Sequence, residues 1–391
     1  MPQTVAAAFP FIDVFIDTSA LQPAAQRSPG VIAVVGASDA GDAAANAPTA
    51  CDTLADAATH FGAGTPLFQS LALAFLQDPK PSKVYGVKIG GARTEADVRA
   101  ALDGLNAADD VGFVSLAQTV DPVLLSLLKD HVEQNSAAGQ KRLGVAMIDP
   151  ARAKSATYVA DAVGTVHPSQ GGGPDLLSSV SRMVIVAARG AVLESDGETA
   201  ADAATAAMAA IAGFAPSTSI VLKRVRGLTI PLPAQYGASE IKGLSEANVI
   251  PIIQPALMVG GGFFFAEGRC FTSDATQLYV DTVRTLDDID FRLKAGLIGL
   301  VGDARITRAG LTILRATVQG ILGPLQRAEV IDDFDVRIPL LDILALPDSA
   351  RSATENSLVT TARANRAIDL LVSITYGPAV HHLRVVLQPK F

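Results

Sequence analysis

Val31-Ile32-Ala33-Val34-Val35-Gly36-Ala37-Ser38-Asp39-Ala40-Gly41 decides the fold class. Residues 31–35 are all apolar and run into a glycine turn. A half-buried strand alternates polar and apolar side chains. A run with no polar residue marks a strand covered on both faces, as in a parallel sheet sandwiched by helices. The same element recurs outward from it, at residues 84–89, 111–116, 143–148 and 183–187. Helices are predicted between these strands. One spans 52–60 and is stopped by Gly62; the next opens at Thr65-Pro66 and presents Leu67, Leu71, Ala74 and Phe75. Thr94 with Asp97 forms a capping-box variant opening 94–105, and Asp121-Pro122 opens a helix through Val132. The Ala-rich run 199–214, which holds Asp202, reads as a packed helix of a soluble protein. This β-α alternation predicts a mainly parallel α/β sheet.

Past Gly227 the pattern changes. Residues 249–253 read as a strand, followed by Gly260-Gly261-Gly262. Residues 274–300 and 307–322 read as two long amphipathic helices, the second ending near Gly323-Pro324. Ile368, Leu370, Val372, Ile374 and Tyr376 alternate with Asp369, Ser373 and Thr375, the signature of a half-buried strand. After a Gly377-Pro378 turn, Leu383, Val385 and Leu387 lead a last strand. At the other end, Phe11, Ile12, Val14, Phe15 and Ile16 form a strand with Asp13 and Asp17, ahead of a Pro/Ala/Gln linker. The expected class is α/β, α+β overall. The expected organisation is an arm and linker over 1–28, an α/β domain over 29–230, a domain of two long helices on a sheet over 231–378, and a terminal strand arm over 379–391.

The chain has 391 residues and a formal charge of −8. With no basic block it lacks the clustered cations that non-specific nucleic-acid binding requires. Only 18% of residues are charged and 49% are hydrophobic, against about 25% charged in an average soluble domain. That is ample for a core and leaves few charges for a monomer's surface, so much of the surface is expected to face other protein. Cys51 and Cys270 cannot build a disulfide framework. The N-terminus has no basic region of the secretory kind. The most apolar window, 249–266, is broken by Pro251, Gln254, Pro255 and three glycines, so no membrane insertion is expected.

Candidate chemistry is sparse. Gly36 to Gly41 follows a strand, where a dinucleotide would sit, and Asp56 lies at a ribose-binding distance along the chain. The spacing is not G-x-G-x-x-G, Pro48 interrupts a helix there, and no Walker Lys is present. A structural turn is the alternative. His60, His131, His167, His381 and His382 lack zinc-site spacing. Gly171-Gly172-Gly173 beside His167 and Ser169 reads as a surface connection. Asp287-Asp288-Asp290 and Asp332-Asp333-Asp335 read as solvated faces or partners of Arg284, Arg292 and Arg337. No catalytic, cofactor or metal residue is assigned.

The ordered motifs carry a resemblance. Val34-Val35-Gly36-Ala37-Ser38-Asp39-Ala40-Gly41, Asn46-Ala47-Pro48, Phe61-Gly62, residues 71–75 and residues 84–89 form the first set. Glu246-Ala247-Asn248-Val249-Ile250, Gly268-Arg269, Thr272 and Tyr279-Val280-Asp281-Thr282-Val283-Arg284-Thr285-Leu286 form the second. Tyr376-Gly377-Pro378 with Leu383-Arg384-Val385-Val386-Leu387 is the third. Together they resemble the contractile tail sheath family of bacteriophages and related injection machines. The family's Pro-Gly-Val opening sits late here, at residues 29–31, and tryptophan is absent.

The resemblance implies a structural subunit, not an enzyme. Such subunits stack as six-membered rings around an inner tail tube and contract from a metastable extended lattice, driving the tube through an envelope. The terminal strands holding Phe11, Ile12, Val14, Phe15, Ile16, Leu383, Val385 and Leu387 would add to sheets of neighbouring copies. The basic stretch with Arg351, Arg363 and Arg366 would face the tube. Baseplate and tail terminator proteins would be further partners, with no direct contact to nucleic acid. The implied location is a virion tail assembled in the host cytoplasm. The alternative is a nucleotide-dependent α/β enzyme using the Gly36–Gly41 loop.

Overall fold

A computed structural model describes residues 30–168 and 173–381. The expected arm strands at 11–16 and 383–387, together with His382, lie outside the described residues. In chain order the elements are β1 (Val31–Gly36), β2 (Pro48–Cys51), α1 (Leu54–Phe61), α2 (Pro66–Phe75), β3 (Lys83–Lys88), α3 (Glu95–Gly104), β4 (Phe113–Leu116), α4 (Pro122–Ala137), β5 (Leu143–Met147), α5 (Tyr158–Val166), β6 (Met183–Ala187), β7 (Val192–Leu193), α6 (Ala203–Gly213), β8 (Arg224–Val225), β9 (Leu228–Thr229), α7 (Ala238–Glu246), β10 (Val249–Ile253), β11 (Phe263–Phe265), α8 (Val280–Leu297), α9 (Arg308–Arg327), β12 (Asp333–Arg337), α10 (Pro339–Ala345), α11 (Ala353–Asn365) and β13 (Leu371–Thr375).

The described residues divide into two units. The larger holds 30–168, 173–291, 322–337 and 370–381; the smaller holds 292–321 and 338–369. The larger unit is built on a nine-stranded sheet of order β2-β3-β1-β4-β5-β6-β10-β11-β8. The six strands from β3 to β10 are mutually parallel, so the expected parallel core is present. Antiparallel strands close both ends: β2 on β3, and β11 then β8 beyond β10. Residues 249–265 therefore continue the sheet that β1 begins. Alternate residues of β1 enter different cores. Ile32 and Val34 pack in a layer with α1, α2 and α6, while Val31, Ala33 and Val35 pack with α3, α4, α5 and α7. Burial on both faces is why the strand carries no polar residue.

The capping residues act as their sequence suggests. Thr65 accepts from the Phe68 amide at the start of α2, and Thr94 and Asp97 close a reciprocal capping box on α3. α6 is buried on all sides. Its alanines let it lie close against the sheet, and Asp202 caps it by accepting from the Thr205 amide. Two boundaries differ from expectation. The helix expected from residue 274 begins at Val280, after a single 3-10 turn capped by Asp274. The helix expected to end near Gly323-Pro324 runs on to Arg327. Pro324 falls in its last turn, and the residue four before it is Gly320, so only one ladder bond is lost there.

β12 and β13 form a separate two-stranded antiparallel sheet in the larger unit. Phe334 faces Ile374 and Val336 faces Val372, and these four are the less exposed residues of the pair. The alternation read over 368–376 is thus a real strand face. In the smaller unit, Gly296 lets the end of α8 approach Ile321 of α9, because a Cβ there would lie 2.5 Å from the Ile321 Cδ1. α10 and α11 complete that unit, with Leu340, Leu341, Leu344 and Val359 buried.

Candidate functional site

The Gly36–Gly41 loop sits where the strand order reverses, between β1 and β4, the usual ligand position in an open α/β sheet. Its local geometry serves packing. A Cβ on Gly36 would lie 2.5 Å from the Ala117 Cβ, and one on Gly41 (φ +83°) would lie 2.1 Å from the His60 carbonyl oxygen. Ser38 donates its hydroxyl to the Phe61 carbonyl at 2.6 Å. A phosphate would need unpaired amides at a helix N-terminus. The loop leads into β2 instead of a helix. At the adjoining start of α2, the Leu67 amide is spent on the Ala37 carbonyl at 3.0 Å.

The histidines are dispersed. His60 pairs with Asp42 at 2.7 Å and His167 with Asp175 at 2.9 Å. His131 is buried and accepts at Nε2 from Arg142, which with burial pushes its pKa down to about 4. Asp287 is held in a two-pronged pair by Arg182, a partner not expected from sequence. Among the described residues no group of three His, Cys, Asp or Glu side chains could hold a metal ion.

The second motif set converges on structure. Asn248 takes a left-handed conformation (φ +60°) that Asn tolerates better than most residues, and its amide donates to the Thr272 carbonyl at 3.1 Å. The Thr272 hydroxyl in turn donates to the Ser178 carbonyl at 2.8 Å. Arg284 is buried and donates to the carbonyls of Ile211 and Phe214 at the C-terminal end of α6, where a cation complements the helix dipole. Burial lowers its pKa to about 10, so it stays charged at neutral pH. These motif residues fasten α8 and the segment before it to the sheet.

Two further surface features stand out. The β12–β13 pair has no third strand among the described residues, which leaves backbone donors and acceptors on its outer edges. The smaller unit is basic. Its described residues include Arg292, Lys294, Arg305, Arg308, Arg315, Arg351, Arg363 and Arg366 against Asp303, Asp342, Asp348, Glu355 and Asp369, in a chain of −8. The three arginines singled out from sequence differ in placement. Arg351 is turned inward, donating to the carbonyls of Ile343 and Leu346 at the end of α10 and pairing with Asp348. Arg363 and Arg366 are exposed at the end of α11. Arg363 reaches the Ile306 carbonyl at 3.4 Å, which brings it to a segment carrying the exposed Arg305 and Arg308. Sequence reasoning missed those two. Their only signal was an acid-free stretch from 304 to 328.

No family model matches this sequence, and no curated protein matches it. Solved structures do match. The helical sheath of the anti-feeding prophage in its contracted state aligns over 99% of this chain and 100% of that one, with a TM-score of 0.67 at 12% identity. This chain has the contractile sheath fold. The sheath of the PVC extracellular contractile injection system, also contracted, aligns over 99% of both chains at TM-score 0.67 and 11% identity. A sheath tail protein from Desulfitobacterium hafniense aligns over 83% of this chain and 93% of that one, at TM-score 0.59 and 12% identity. The sheath fold reached through degenerate motifs is thus the one reached through the coordinates.

Proposed function

We propose that the chain is a structural subunit of a contractile sheath. The observation that carries this is the alignment of nearly the whole chain with nearly whole sheath subunits. Copies stack as six-membered rings around an inner tube, attached to a baseplate and closed by a terminator. Contraction converts a metastable extended lattice into a shorter, wider one and drives the tube forward. Energy is stored at assembly, so no catalytic residue is required. The tail of a virion or of a related injection machine is where such a subunit acts.

Strand addition holds the lattice. The β12–β13 pair supports this, since no third strand among the described residues lies beside it. Phe11–Ile16 and Leu383–Leu387 of neighbouring copies are the proposed donors. Arg363 and Arg366, joined by Arg305 and Arg308, face an acidic tube. The Leu67 amide, spent on the Ala37 carbonyl, and the close packing of Gly36 and Gly41 count against the nucleotide-enzyme alternative.

Negative-stain microscopy of the purified chain tests the reading. A sheath subunit forms hollow tubes, and deletion of residues 382–391 leaves folded monomers instead. A discrete small oligomer from the full chain, or long tubes from the truncated one, would contradict it.

A further inference from the structure

Two residues of the second motif set, Tyr279 and Asp281, face the segment that follows β13. The Tyr376 hydroxyl donates to the Asp281 carboxylate at 3.1 Å. Five residues on, the His381 ring stands edge-on to Tyr279 with centroids 4.9 Å apart. Its Nε2 lies 2.8 Å from the Ser219 hydroxyl, and its Nδ1 lies 4.0 Å from the Glu267 carboxylate. Glu267 is buried at 4% exposure and fixed by the Gly268 amide at 2.9 Å and by Arg269 at 3.5 Å. Between the two anchors, Gly377, Pro378, Ala379 and Val380 are all exposed, Val380 at 81%. The segment is therefore strapped to the larger unit at two polar points and buries no apolar side chain between them.

We infer that residues 376–381 are a releasable strap, and that the His381 contact with Glu267, Ser219 and Tyr279 is its latch. Held, the latch makes His381 the last anchor among the described residues. Released, that anchor becomes Tyr376, five residues earlier. Five more residues add at most about 17 Å of reach. Residues 377–380 bury no apolar side chain, so opening the latch draws none of theirs out of the core. This proposal rests on the sheath reading, because extra reach matters where a strand must stay engaged with a neighbour while the lattice changes spacing.

His381→Ala in the full chain tests it with two independent readouts. Hydrogen exchange on unassembled protein is expected to rise at least tenfold at amides 379–381, with 371–375 unchanged. His381→Gln, which can still reach Ser219 but cannot stack on Tyr279, is expected to fall between. In assembled tubes, His381→Ala is expected to change the rate of tube formation at least threefold, and five residues inserted after His381 in the otherwise native chain are expected to reproduce that change. Unchanged exchange overturns the latch whatever the tubes do. Raised exchange with native tube formation overturns the tethering role and leaves the sheath reading intact. If the native chain forms no tubes, the sheath reading and the tethering role fall together, and exchange alone then decides whether the latch exists.

Discussion

Arg142 shows how much a single buried cation organises. It is fully buried, donates to the carbonyls of Leu105 and Ala108, and gives another N–H to His131 Nε2. That bond needs a neutral imidazole. His131 is held at a pKa of about 4 in the folded chain by desolvation and then by Arg142, against about 6.5 when unfolded. A depressed folded pKa means the unfolded chain takes the proton first. Stability is therefore full above about pH 6.5, falls as pH drops toward 4, and levels off below it. The loss is on the order of 3 kcal/mol for this group. Urea denaturation between pH 7 and pH 4 should show that decline, and His131→Gln, which keeps an acceptor but cannot titrate, should flatten it. A slope unaffected by the substitution would place the proton elsewhere.

At the scale of elements, α6 is the tightest fit. Ala206, Ala207 and Ala209 are fully buried between α2 and the sheet, and Ser115 and Ser70 bond its first turn through Thr205 and Asp202. A larger side chain has nowhere to go. Ala209→Leu should cost about 1–3 kcal/mol by overpacking, whereas a leucine at the exposed Ala364 of α11 should change stability by less than about 0.5 kcal/mol. Thermal melts of the two variants distinguish the cases, and equal melting temperatures would show that the α6 layer is looser than its burial implies. The sequence announced this helix through its alanines and Asp202. It did not announce β8 or β11, because Arg224–Val225 and Phe263–Phe265 are too short for any period to emerge.

At the scale of the whole molecule charge is unevenly spread: the described residues of the smaller unit carry eight Lys and Arg against five Asp and Glu, in a chain of −8. If the proposed tube contact holds, attraction between such a face and an acidic tube would guide register more than add affinity, and salt would screen it over about 8–10 Å. Arg363→Glu with Arg366→Glu should abolish extended sheath around tubes while tube-free polymers still form, and raised salt should weaken native co-assembly in the same direction. Normal co-assembly of the double variant would move the contact to another face. Arg351→Glu is expected to act differently, lowering stability instead, because that guanidinium caps α10.

What the sequence determined alone is local. Strands buried on both faces, caps such as Thr65 and Thr94, and the half-exposed period of β13 are fixed by side chains within a few residues of one another. The order of degenerate motifs added the family resemblance. What only the tertiary structure decided is non-local. Residues 322–337 leave the smaller unit and return to the larger. Arg351 turns inward while Arg363 meets the segment of Arg305 and Arg308. His381 finds Ser219 and Glu267 more than a hundred positions away. Periodicity reports which face of an element is apolar; which distant partner that face, or one charged side chain on it, will meet is set by close packing of the whole chain, and no window of sequence contains it.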